Sequence, residues 1–317
     1  MTFSESTRDV TTTESAPRES LRARYAPKVL ETLTHRQKVE AWVSVIVIGQ
    51  RSAERTVTCL DRLRQQQRVG FERCEIIVAD TGGLSPVHEL LPLRVDVELR
   101  MAPGCSSADL LNAAVAHSSA PLLVFVDSAA VTAADFLAKA LAHFDDPSIL
   151  AVRARVLPNK HPLLASVAFD FDAGPEPFDD TLVSPHSSVV RSEAFLLAGG
   201  FADLPTPLAA VDLALRLREC YPTHRLVYAP DVIMRRDRCE SWQELLTQCN
   251  EHAASAAGHG RLVAALRAAE RQFGANRGVK ERTTHKAMVG VSRGVSAARR
   301  LLAWRPRRGG GKPLGEK

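Results

Sequence analysis

The chain contains no uncharged apolar run of the roughly 18 residues that a bilayer-spanning helix requires, which argues against a membrane span. Nor does a basic stretch followed by an apolar one open it, so a secretory signal is not expected. Aromatic residues make up only 5% of the 317 positions, which leaves the core to Ala, Val, Leu and Ile. The six cysteines, Cys59, Cys74, Cys105, Cys220, Cys239 and Cys249, are scattered and include no CxxC pair. That pattern fits reduced cytosolic thiols better than a disulfide framework or a zinc site. No GxGxxG follows the first strand-like segment, which weakens a dinucleotide oxidoreductase, and no Walker-type GxxxxGK[ST] exists, which excludes a P-loop enzyme. Ile48-Gly49-Gln50-Arg51 is a poor match to a methyltransferase loop, and Asp80-Thr81-Gly82-Gly83 is the one hint in that direction. Neither an aromatic stacking platform nor a recognition motif is present, so nucleic acid is not an expected partner.

What is present suffices for one sizeable core and a small appendage: 45% of positions are hydrophobic and 24% charged. The net charge of +5 is unevenly spread, with most of the excess in the last forty residues. Residues 1–40 are rich in Thr, Ser, Glu and Arg, and read as a mobile tail with a short helix near Lys28–Leu33. Order is expected from Val43-Ser-Val-Ile-Val-Ile48, a β-branched run bounded by Gly49. A helix is expected over Ala53–Gln67, then strands over Cys74–Ala79 and Val95–Arg100, a helix over Ser107–His117 and a strand over Leu122–Val126. Alternating strands and helices with short connections predict an α/β fold, a mostly parallel sheet covered by helices on both faces.

Such sheets bind ligands beyond the carboxyl ends of their strands. That rule selects the loops Gly49–Ser52, Asp80–Gly83 and Asp127–Ala130. Two of these open with an aspartate, a poor strand former. An aspartate there also caps the following turn, so each has a structural reading beside the ligand reading. Elsewhere, Asp170, Asp172, Asp179 and Asp180 are candidate replacement carboxylates or parts of a solvated loop, and His186 is a base near neutral pH or a capping residue.

The ordered set Glu75-Ile-Ile-Val-Ala-Asp80-Thr-Gly, Leu111-Asn112-Ala-Ala-Val-Ala and Leu123-Val-Phe-Val-Asp127-Ser resembles a family 2 glycosyltransferase of the GT-A fold. Val190-Arg191-Ser-Glu193-Ala194-Phe195, Gly199-Gly200-Phe201 and Val211-Asp212-Leu213-Ala-Leu-Arg216-Leu217 are similar to its acceptor loop and following helix, and Leu226-Val-Tyr-Ala-Pro230 to its next strand. The resemblance runs from about Val43 to about Leu246. It implies that Asp80, Asn112 and Asp127 hold the nucleotide of a nucleoside-diphosphate sugar. It also implies where the chain departs from the family. The strand that should end in Asp-x-Asp reads Asp127-Ser128-Ala129, and alanine offers no oxygen to Mn or Mg on the diphosphate. A bound divalent metal, or any other resident cofactor, is therefore not expected. The Glu-Asp pair that would supply the acceptor base reads Ala209-Ala210, and general-base help is typically worth ~10²–10⁴ in rate. Asp212 follows roughly 200° further around a helix and is not a simple substitute. Asp212 and His186 are thus weak catalytic candidates, and Arg235 and Arg236 are candidates for holding the diphosphate.

The domain reading is a tail over 1–40, a GT-A-like domain over 41–250, a separate helical, basic, amphipathic extension over 251–308 and a disordered tail over 309–317. In the extension Leu262–Phe273 is expected to be helical, with Leu262, Leu266 and Ala269 on one face. Residues 286–308 carry an apolar stripe flanked by arginines and Trp304, which suits an anionic membrane surface or packing on the protein's own core. Two functions stay open. One is a divergent, cytoplasmic glycosyltransferase with impaired transfer. The other is an inactive scaffold subunit that partners another protein or the inner face of a membrane.

Overall fold

The computed structural model describes residues 11–38, 40–49, 52–82, 85–159, 172–236 and 259–276. The β-branched run forms strand β2 (Val43–Ile48), buried at every position. Burying each Val or Ile is worth about 1.5–3 kcal/mol, so this segment contributes strongly to the core. Helix α2 (Ala53–Arg64) starts at Ser52, whose side chain accepts from Arg55 N, and presents Cys59, Leu60 and Leu63 inward. Strand β3 (Cys74–Asp80) is likewise fully buried. Next come β4 (Val97–Met101) and α3 (Ser107–His117), whose start is fixed by a capping box between Ser106 and Asp109. Strand β5 (Leu122–Asp127) leads to the short β6 (Val131–Thr132), α4 (Phe136–Ala142) and the long β7 (Ile149–Leu157). The second half supplies β8 (Phe178–Asp179), β9 (Ser187–Arg191), α5 (Ser192–Leu197), α6 (Thr206–Cys220), β10 (Arg225–Arg235) and α7 (Gly260–Asn276).

Together with β1 (Val29–Thr34) these strands make a ten-stranded sheet in the order β1-β4-β3-β2-β5-β9-β7-β10-β6, with β8 beside β10. The runs β4-β3-β2-β5 and β7-β10 are parallel, so the sheet is mostly parallel through its long strands. β9 enters antiparallel between β5 and β7 and brings the second half of the chain against the first. One apolar layer, with Ile46, Ile77, Phe125, Phe195 and Phe201, lies under α3 and α5. The other, with Val45, Val78, Val124 and Leu60, lies under α2 and α4.

Two expectations about the domain's ends are corrected. Over 11–34 the supposed tail is structured. Helix α1 (Thr11–Tyr25) lies on α3, where Arg22 donates to Ala116 O at 3.0 Å and Tyr25 is 4% exposed. β1, placed partly where a short helix was expected, pairs antiparallel with β4, from Val29 opposite Met101 to Thr34 opposite Val97. An edge strand with one face in solvent needs few apolar residues, which is why composition alone reads as a tail. At the other end, α7 carries Leu262, Leu266 and Ala269 on one face, as expected. It packs them against Ala210, Val211 and Tyr228, so this helix belongs to the body of the domain rather than to a separate unit. Residues 286–308 and 309–317 lie outside the described residues.

Candidate functional site

Parallel register places the site. Ile48 of β2 pairs with Ala79 of β3 on one side and with Asp127 of β5 on the other. Asp80 and Asp127 therefore stand at the carboxyl ends of strands flanking β2, two strand spacings or about 10 Å apart. Side chains alternate along a strand, so the two carboxylates leave the sheet on opposite faces, astride Gly49. Each also bonds its own loop: Asp80 Oδ2 accepts from Gly82 N at 2.7 Å, and Asp127 Oδ1 accepts from Ala129 N at 2.8 Å. Gly82 has φ +104°, a conformation that suits glycine. The turn-capping reading of both aspartates is thus realised by one oxygen of each.

The second oxygen of Asp127 carries the distinctive chemistry. Arg236, which follows β10 and is 2% exposed, donates from Nη1 to Asp127 Oδ2 at 2.8 Å. His186, at the turn before β9, has Nδ1 3.8 Å from the same oxygen, and Asp127 N donates to His186 O at 3.2 Å. Behind this cluster Cys59 Sγ lies 3.5 Å from Asp127 O, where burial, then the Asp127 charge, pushes its thiol up and keeps it protonated. Of the two arginines expected at the diphosphate, only Arg236 enters this cluster. Arg235 is exposed and donates to Pro158 O at 3.3 Å, because alternation along β10 turns it the other way.

The donor set does not fit a divalent cation. Mn and Mg take several oxygen ligands, whereas Asp127 is followed by Ser128, 3% exposed, and by Ala129, and its outward oxygen faces a guanidinium. Among the described residues no group of three or more His, Cys, Asp or Glu side chains has metal-binding geometry.

Five sequence candidates take structural roles. Asn112 is 1% exposed; its amide donates to Tyr25 Oη at 3.0 Å and Phe201 O at 2.8 Å, and its oxygen accepts from Phe201 N at 2.9 Å. All three bonds are buried, and through them Asn112 holds the Gly200-Phe201 turn. Gly200 is needed there, because a Cβ would stand 2.4 Å from Asn112 Oδ1. Asp212 accepts twice from Arg216, at 2.9 and 2.6 Å, and Arg216 in turn donates to Ala198 O and Gly200 O. That carboxylate orients the clamp on the same turn. Asp172 pairs with Arg155 at 2.8 Å, Asp179 with Arg225 at 2.9 Å, and Asp180 with the buried Arg153, which are structural roles. Asp170 lies outside the described residues. Ala209 and Ala210 are 4% and 0% exposed on α6.

The fold is that of the GT-A-type glycosyltransferases. Superposed on the mannosyltransferase PcManGT from Pyrobaculum calidifontis in complex with GDP-Man and Mn2+, the chain gives a TM-score of 0.57 at 19% identity, covering 92% of this chain and 88% of that one. On S. aureus TarS 1-349 in complex with UDP-GlcNAc the score is 0.49 at 16% identity, covering 79% and 80%. At these identities the likeness is one of fold. No protein-family model matches the sequence, and no curated protein matches it. Among the described residues no helix is long and apolar enough to cross a membrane.

Proposed function

We propose that this chain binds a nucleoside-diphosphate sugar at the carboxyl ends of β2, β3 and β5 and does so without a divalent metal. The observation that carries the reading is the buried guanidinium of Arg236 set 2.8 Å from Asp127, where a metal-dependent relative would need a second carboxylate. In this reading Asp80 receives the base, Asp127 the ribose, and Arg236 presents fixed N–H donors to the diphosphate oxygens. The GDP-Man bound by the mannosyltransferase, which shares the architecture, supports the substrate class. Transfer itself is expected to be slow. Ala209 and Ala210 offer no proton acceptor, and Asp212 is committed to Arg216. His186 is the remaining imidazole beside Asp127 and the candidate base.

A scaffold role is the second reading, favoured by that loss of the base. Isothermal titration of the full chain with UDP-, GDP- and dTDP-sugars, with and without manganese, separates the two. Metal-independent binding abolished by Asp80→Ala supports the donor site. If no nucleotide binds, only the scaffold reading survives.

A further inference from the structure

At the opposite end of the sheet lies a second charged concavity that the nucleotide reading does not use. Arg36, Asp61, Arg64, Leu93 and Arg94 line an open cleft of about 400 Å³. Behind two of these arginines is Asp96, 0% exposed, whose Oδ2 accepts from Ile76 N at 2.8 Å near the start of β3. Asp80 is at the other end of that strand, four residues or about 13 Å away. Helix α2, about 18 Å long, connects the two ends, opening near the nucleotide loops and closing on Arg64.

The guanidinium groups are held in place rather than free to sweep. Arg64 Nη2 and Arg36 Nη1 converge on the one oxygen Asp96 Oδ1, at 3.4 and 3.9 Å. Arg64 Nε also donates to Arg94 O at 2.6 Å, and Arg36 Nη2 to Leu93 O at 3.4 Å. Arg94 grips Asp61 through Nε at 2.8 Å and reaches Leu90 O through Nη1 at 3.0 Å. Three cations thus meet two carboxylates in one concavity, leaving an excess positive charge. The Arg64 guanidinium is pushed down first by burial, with the neighbouring Arg36 charge adding to it against Asp96. An incoming anion relieves that repulsion. The size suits a small ligand, and planar, preoriented guanidinium forks match the oxygens of a phosphate. Leu93, 70% exposed, and Leu90, 43% exposed, give the same region an apolar rim.

We propose that the cleft formed by Arg36, Arg64 and Arg94 over Asp96 is a phosphate-binding site, separate from the nucleotide site. The phosphate belongs either to a soluble ester or to a lipid headgroup, whose acyl region would meet Leu90 and Leu93. The test uses the full chain saturated with UDP, so that the carboxyl-end site is occupied. Titration with inorganic phosphate, and flotation with phosphatidylcholine vesicles with and without phosphatidic acid, are then compared between the wild type and Arg36→Gln. Arg36 is the most exposed of the three arginines, and Arg225→Gln, at a surface ion pair elsewhere, is the control. Loss of one charge-assisted contact should weaken phosphate binding about tenfold or more, with Arg225→Gln unchanged. Binding of phosphate alone assigns a soluble ester. Arg36-dependent flotation that requires phosphatidic acid assigns a headgroup. Absence of both, or equal affinity in the wild type and Arg36→Gln, overturns the proposal.

Discussion

Replacing Arg236 with methionine removes the guanidinium and keeps most of the side-chain volume. Arg236 is 2% exposed and its partner's side chain 13%, so the substitution takes the guanidinium partner from a largely desolvated carboxylate. Breaking a buried pair from one side costs about 3–5 kcal/mol, and the lower end applies here because Ala129 N still bonds Asp127 Oδ1. Asp127→Asn on the same background should recover much of the loss, since the buried charge then disappears. Nucleotide affinity reports separately. If Arg236 supplies a charge-assisted bond to the diphosphate, worth about 1.5–3 kcal/mol, UDP or GDP should bind roughly 10- to 100-fold more weakly to Arg236→Met. Adding manganese should not restore it. Urea denaturation and isothermal titration on the same preparations give both numbers. A variant that loses stability but binds nucleotide like the wild type would refute the assignment of Arg236 to the donor site. Rescue by manganese would refute the argument that the donor set suits no cation.

Asn112→Ala should lower unfolding free energy by about 2–4 kcal/mol, as three buried bonds are lost and the Phe201 amide and carbonyl are left unpaired; thermal and chemical denaturation measure it. Gly200→Ala should destabilise by about 1–3 kcal/mol or more, since φ is +72° and the new Cβ meets Asn112 Oδ1, and the melting temperature reads it directly. His117 is pushed below its usual pKa, by burial first and by Arg22 second, against its bond to Ala113 O. Because the unfolded chain then binds the proton more readily, stability should fall as pH drops through and below about 6.5, and His117→Gln should flatten that part of the profile. Asp212→Asn should cost under about 1 kcal/mol and leave nucleotide binding unchanged, whereas loss of all transfer activity in that variant would return Asp212 to a catalytic role.

How far the sequence could be read depended on the range of the interaction. β2, β3 and β5 were legible because buried parallel strands are continuous apolar runs, and the aspartates closing β3 and β5 stand out against them. β1 was not, since its partner β4 lies some seventy residues on and its outer face is in water. The structural role of Asn112 was hidden for a related reason. A single polar residue within Leu-Leu-Asn-Ala-Ala looks like a ligand contact until its partners, 87 and 89 residues away, are known. Arg235 and Arg236 were indistinguishable as neighbours in sequence, and only the alternation of β10 at its end separates the exposed one from the buried one.

The pairing of Asp127 with Arg236 spans 109 residues and gives the proposed metal-free site a physical logic. In an Asp-x-Asp site two carboxylates and one divalent cation sum to zero. Here one carboxylate and one guanidinium also sum to zero, so in the proposed reading Arg236 balances Asp127 where Ala129 offers no second acid. Pairing Asp127 with Arg236 spares the fold the cost of a lone buried carboxylate at the end of β5. The exchange is not equivalent for a reaction. A divalent ion concentrates its charge on the oxygens of a departing diphosphate, while a guanidinium already shared with Asp127 offers directional donors and little net charge. Holding a nucleotide asks only for those donors, whereas driving its departure needs the charge. On the proposed reading, then, such a site is expected to bind a nucleotide better than it turns one over.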